Sequence, residues 1–353
     1  MKRKVIILYV TFIVTLIICL VPFRLFLLLG ICLSFVFLIP VLLLLFNVLF
    51  IHTNYYKNGL LNIDKFASNN EKSAIIPYHL DIVNLGSSQP KFAFDYSNVS
   101  AKGMNWAIAP QTLDYDFRVF MKYHCYLKKE GVVLIPICPF KMFVYTMPTI
   151  FESSSQRNNY KYYSFLSPYL IRNYSKWTSF LLRRLPVLTE KKNIIRFLKD
   201  VAQDNRLSLD CNSMSDKELR KDAKRWIHSW EKEFNIKMEN LVLSEYNKEC
   251  IEKNIEILNR LIHFCIDNKY KPVLMLLPVT GYLGENFSLS FRKKHIEAYL
   301  ERANDLNVPF LNYFNDSRFT SSDLYINSFF LNRKGRLLFT EVVLSELKSR
   351  GIL

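Results

Sequence analysis

The first fifty residues are apolar in a way that nothing later repeats. Val5–Val21 and Leu25–Ile51 are almost wholly hydrophobic, interrupted only by Pro22, Phe23 and Arg24. A helix rising ~1.5 Å per residue needs about 20 such residues to cross a hydrocarbon layer, so the run exceeds one span and suffices for a tight two-helix hairpin. A transmembrane anchor over 1–51 is the expectation, and with it an integral protein of a bacterial cell membrane. One span plus a signal-like stretch opened by Lys2, Arg3 and Lys4 is the alternative. The number of spans also sets which side the remaining chain occupies, because the basic N-terminus favours the cytoplasmic face.

After a linker at 52–75, helix-period segments alternate with short apolar runs. Ile82-Val83-Asn84-Leu85 ends abruptly in Gly86-Ser87-Ser88-Gln89-Pro90, a strand entering a tight turn. Leu113–Tyr126 leads into Val132–Ile137, and Cys250–Asn268 into Pro272–Pro278. In the second of these helices Ile251, Ile255, Leu258, Leu261, Ile262 and Cys265 form one apolar stripe. Lys294–Asp305 precedes Val308–Tyr313, and Arg333–Arg350 closes the chain as a helix. Alternating helices and buried strands predict an α/β fold, a three-layer doubly wound parallel sheet with helices on both faces. Ligands of such sheets gather beyond the carboxyl ends of the strands, where Ser88 stands.

Composition excludes a disordered chain, since 50% of the 353 residues are apolar and 15% aromatic. The formal net charge is +16, and beyond residue 51 the basic excess is concentrated between Arg157 and Arg206, where tyrosines and Trp177 are interleaved with cations. This helical basic and aromatic insertion, around 150–240, suits an anionic partner or a membrane interface, or is a solvated surface. No nucleic acid partner is expected. Seven cysteines include no CxxC pair, so neither zinc nor redox work is indicated. No His/Asp/Glu cluster has metal-ligand spacing and no glycine-rich phosphate loop occurs, so neither a metal nor another cofactor is expected.

Asp81-Ile82-Val83-Asn84-Leu85-Gly86-Ser87-Ser88 resembles the first block of the SGNH/GDSL hydrolase superfamily, a strand ending in Gly-x-Ser. Asn327-Ser328-Phe329-Phe330-Leu331-Asn332-Arg333-Lys334-Gly335 resembles its last block, in which an acid is followed by His-Leu-Asn and a glycine opening the final helix. Lys102–Gln111 and Lys271–Leu283 are similar to the linking segments of bacterial membrane-anchored members, and the resemblance covers roughly residue 76 to the C-terminus. It implies serine esterase or acyltransferase chemistry in envelope polysaccharide metabolism, with Ser88 as nucleophile. Gly86, Gly103 and Asn105 are the candidate oxyanion or binding donors. The positions of the family's aspartate and histidine read Asn327 and Phe330. A phenyl ring accepts no proton and an amide does not stabilise an imidazolium as a carboxylate does, so Ser88 lacks both partners.

No other histidine stands in obviously. His79 precedes the first strand and lies about 20 Å or more from Ser88 at ~3.3 Å per residue. His228 and His263 read as helix residues, His295 as solvated, and His52 and His124 have no acidic neighbour. Asp323 offers a carboxylate, a weak base on its own. Cys138, between Pro136 and Pro139, reads as an apolar buried thiol. Three readings follow: an SGNH-fold pseudoenzyme binding a glycan, anionic or acylated, or another envelope-biosynthesis protein; an active serine esterase or acyltransferase with a non-standard base; and a structural membrane docking protein.

Overall fold

A computed structural model of the chain describes residues 8, 10–15, 38–53, 78–143, 161–188, 214–238 and 242–353. Two compact units divide it: Met1–Tyr56 with Ser175–Gln203, and Lys57–Tyr174 with Asp204–Leu353. Part of the predicted insertion therefore belongs with the N-terminal segment. Most of the 52–75 linker lies outside the described residues.

The expected membrane anchor requires correction. Among the described residues no helix is long and apolar enough to cross a membrane. The longest described helical stretch of the apolar segment, residues 38–51, rises only about 21 Å at 1.5 Å per residue, against about 30 Å of hydrocarbon. This weighs against both the hairpin and an integral membrane placement; the remainder of 1–51 lies outside the described residues. In this unit Asn47 donates from Nδ2 to Arg184 O (2.9 Å) and accepts from Val187 N (3.4 Å).

The second unit holds five parallel strands: β1 (Leu80–Asn84), β2 (Gly103–Asn105), β3 (Leu127–Pro136), β4 (Lys271–Leu276) and β5 (Phe310–Asn312). Their spatial order is β2-β1-β3-β4-β5. Three of the four apolar runs foreseen as strands occupy the central positions, where Gly131–Pro136 of β3 and Pro272–Leu276 of β4 are buried throughout, and the fourth, Val308–Tyr313, holds edge strand β5. Both edge strands have three residues, which leaves little unpaired backbone to template aggregation.

The helices between and after the strands include α1 (Ser88–Lys91), α2 (Leu113–Tyr123), α3 (Lys176–Arg184, in the first unit), α4 (Asp216–Phe234), α5 (Glu245–Asp267), α6 (Ala298–Ala303) and α7 (Arg333–Ser349). Phe339, Val343 and Leu347 of α7 join Ile82, Leu134, Val273 and Met275 in one buried cluster. Alternation turns Val83, Val133 and Leu274 to the opposite face. The partner helices α2 and α5 lie outside that cluster and meet through Phe117 and Phe264 (5.6 Å between ring centroids). The final block is explained by its local geometry: Asn332 caps α7 by accepting from Gly335 N (3.0 Å). A Cβ on Gly335 would lie 2.2 Å from Leu324 O, so only glycine permits this approach.

Candidate functional site

At the tip of β1 the chain turns through Gly86, whose φ of +121° belongs to the region glycine adopts without strain. A Cβ there would also lie 2.4 Å from Pro90 Cγ. The turn delivers Ser87 and Ser88 to the start of α1. Because β2 flanks β1 on one side and β3 on the other, the carboxyl ends of β1 and β3 form the topological switch point where open α/β sheets bind ligands. A cavity of about 230 Å³ lies there, within the second unit.

Its floor is a buried polar network. Asp116, on α2 and fully buried, pairs with Lys141, whose side chain is also buried. Gln111 Nε2 donates to Asp116 Oδ1 (2.6 Å) and to Gly86 O (3.2 Å), and its Oε1 accepts from Tyr162 OH (3.1 Å). Gln111 N donates to Ser87 Oγ (2.9 Å). Burial raises the Asp116 carboxyl above the usual aspartate range, opposed by the Lys141 ammonium and by hydrogen bonds from Lys141, Gln111 and the Gly86 backbone. The network therefore ties the β1 turn to α2 and to the loop after β3.

The wall is built by α4. A capping box, with Ser215 and Glu218 exchanging hydrogen bonds, starts the helix. Trp226, Trp230 and Glu233 follow at i, i+4 and i+7, one face of the helix, and all three line the cavity. That face is fixed by Asp222, whose Oδ2 accepts from Ser328 N (3.1 Å) and Ser328 Oγ (2.7 Å). Phe329 thereby meets both indoles, at 5.2 Å from Trp226 and 5.0 Å from Trp230. Phe140, following β3, packs 4.9 Å from Trp230.

Ser88 lines this cavity, and its Oγ has no hydrogen-bond partner among the described residues. The last block converges on the same region: Phe330 packs on Phe92 (4.9 Å), immediately after α1, and on Trp226 (5.6 Å). Asn327 is turned inward on its own loop, accepting from Phe329 N (2.9 Å) and Phe330 N (2.8 Å). The predicted donors have other duties. Asn105 donates from Nδ2 to the carbonyls of Pro90 (3.1 Å), Lys91 and Phe94 (3.3 Å each), closing the end of α1. Gly103 pairs with Ile82, two rungs before the strand tip, where a Cβ would collide with the Tyr96 ring. The Gly86 backbone is engaged by Asp116 and Gln111.

None of the six histidines lines the cavity. His263 forms a surface pair with Asp305 (3.0 Å), and His124 contacts Tyr270 OH (3.2 Å). His295, which the sequence suggests is solvated, is buried and shares a hydrogen bond with Tyr299 OH (3.1 Å); the surrounding chain covers it and lowers its pKa. Asp323 is exposed and paired with Lys334. Cys138, at the tip of β3, does reach the cavity, but burial pushes its thiol up to about 11, which leaves little thiolate at neutral pH. Glu233 is half-buried, and desolvation raises its carboxyl above the ordinary glutamate range. No group of three or more metal-binding side chains occurs among the described residues.

Sequence reasoning missed the contributions of α4 and the Asp116–Lys141 pair. The spacing of Trp226, Trp230 and Glu233 on a capped helix is the available signal for the first; the second has none. No family model matches the chain, and no curated protein matches it either.

Proposed function

We propose that this chain is a pseudoenzyme on an SGNH-like α/β scaffold, binding a glycan in the cavity at the β1–β3 switch point without turning it over. The observation that carries the reading is Ser88: it stands in an aromatic-walled cavity with no histidine lining it and no described group hydrogen-bonded to its Oγ. Serine is a poor nucleophile until a base accepts its proton. The aromatic cluster of Phe329, Phe330, Trp226 and Trp230 fills the side where the resemblance calls for an imidazole. Flat apolar rings beside a few polar groups suit retention of a ligand in fixed orientation.

A second reading is favoured by one feature. Glu233 lines the same cavity with a raised pKa, the direction that suits a general base near neutrality. Ester turnover decides between them. With aryl acetate and thioacetate esters, the wild type, Ser88→Ala and Glu233→Gln are expected to hydrolyse at the same background rate. Turnover abolished by both substitutions would establish the enzyme.

A further inference from the structure

Resting on the reading of the cavity as a binding site, we propose that it takes an uncharged, hydroxyl-rich ring, one sugar unit of a neutral glycan, and discriminates against acidic sugars. At about 230 Å³ it is smaller than the ~300–1,000 Å³ typical of drug-sized ligands, so it fits one ring and not a folded chain. Trp226 and Trp230, with ring centroids 5.4 Å apart, belong to the lining, an apolar wall that suits the C–H side of such a ring.

The polar atoms specify the rest. Gln89 is 4% exposed and lines the cavity; its Nε2 donates weakly to Pro278 O (3.4 Å), while its Oε1 has no partner. Trp226 Nε1, on the facing helix, is likewise buried without an acceptor. Two side chains of the lining thus each carry an unmet polar atom, one an acceptor and one a donor. Among common ligand groups a hydroxyl both donates and accepts, so the hydroxyls of a sugar ring suit either atom.

Charge argues the same way and against the expectation drawn from the basic composition. Lys141, the cation among the described lining residues, is committed to Asp116. Glu233 is the remaining ionisable carboxyl of the lining, and no described cation pairs with it. An acidic sugar would enter a low-dielectric cleft facing a like charge, which costs affinity. The +16 of the whole chain is therefore not the charge this ligand meets.

Isothermal titration of the full chain with cellohexaose, maltohexaose and a β-galactan hexamer, against hexagalacturonate, tests this. At least one neutral hexamer is expected to bind and shift the tryptophan fluorescence, with hexagalacturonate weaker by about tenfold or more at neutral pH. Glu233→Gln is expected to narrow the gap to roughly threefold, as removal of one unpaired like charge predicts. Failure of every neutral hexamer to bind, equal or tighter binding of hexagalacturonate, or a gap unchanged by Glu233→Gln would each overturn the proposal. Ester turnover through Ser88 bears on the pseudoenzyme reading and not on charge selectivity, so the two fail separately.

Discussion

Replacing Lys141 with methionine strips the Asp116 carboxylate of its counter-charge while keeping a side chain of similar length. Asp116 is fully buried, and the Lys141 side chain is only 6% exposed, so solvent does not compensate for the loss. Removing one member of a buried ion pair costs about 3–5 kcal/mol, because an uncompensated charge is left behind. The hydrogen bonds from Gln111 Nε2 (2.6 Å) and the Gly86 backbone remain, which places the expected loss near the lower end of that range. Against a total stability of about 5–15 kcal/mol, this is a large fraction. The double variant Lys141→Met, Asp116→Leu removes both charges and is expected to recover most of the loss. Urea unfolding at neutral pH, read as a shift in midpoint at unchanged slope, measures each corner of the cycle. The folded-state pKa of Asp116 is raised, so the proton is held more tightly in the folded state; the deficit of Lys141→Met should shrink in acid and grow as pH climbs. A single variant within about 1 kcal/mol of wild type, or a double variant as damaged as the sum of its parts, would refute a floor built on this pair.

Glu233→Gln removes a carboxyl that burial makes costly to ionise, so its stability relative to wild type should rise as pH increases above the ordinary glutamate value of 4.5; thermal melts across pH would show a flat difference if the carboxyl were solvated. Trp226→Phe keeps one aromatic ring but loses the pyrrole ring with its unpartnered Nε1, so relief of the unmet donor offsets lost packing and unfolding free energy should stay within about 1 kcal/mol while oligosaccharide binding weakens. Binding and stability falling together would contradict that division. Gly335→Ala drives a methyl into Leu324 O and should cost about 1–3 kcal/mol, seen as a lower urea midpoint; a neutral result would contradict the tight start of α7.

Much of the sheet is legible in the sequence because its three central strands are buried on both faces and read as continuous apolar runs. The turn at Gly86 and the cap at Asn332 are likewise local: a positive φ and an N-cap hydrogen bond are decided within a few residues. Edge strand β2 is harder to see, since three residues carry no periodicity. The apolar opening predicts a span from hydropathy alone, whereas among the described residues no helix is long and apolar enough to cross a membrane. The candidate site is half legible. Ser88 follows from the strand-turn pattern, but its walls are set by tertiary contacts over long separations. Asp222 reaches Ser328 across 106 residues, and Asp116 reaches Lys141 across 25. In a linear pattern Asp116 and Lys141 are ordinary surface charges, and nothing local says that they meet in the interior. The three oxyanion candidates illustrate the converse: residue type and order suggested donors, while packing engaged Asn105 and Gly86 elsewhere and placed Gly103 back from the strand tip.

Fluorophosphonate labelling, followed by mass spectrometry of the modified peptide, tests the central claim most directly, because the reagent reports activation of Ser88 without requiring the natural ligand. Wild type and Ser88→Ala are expected to remain unlabelled alike, and label is expected at Ser88 only when Asn327→Asp and Phe330→His together supply an acid and an imidazole. Rapid labelling of the unaltered chain at Ser88 would contradict the account.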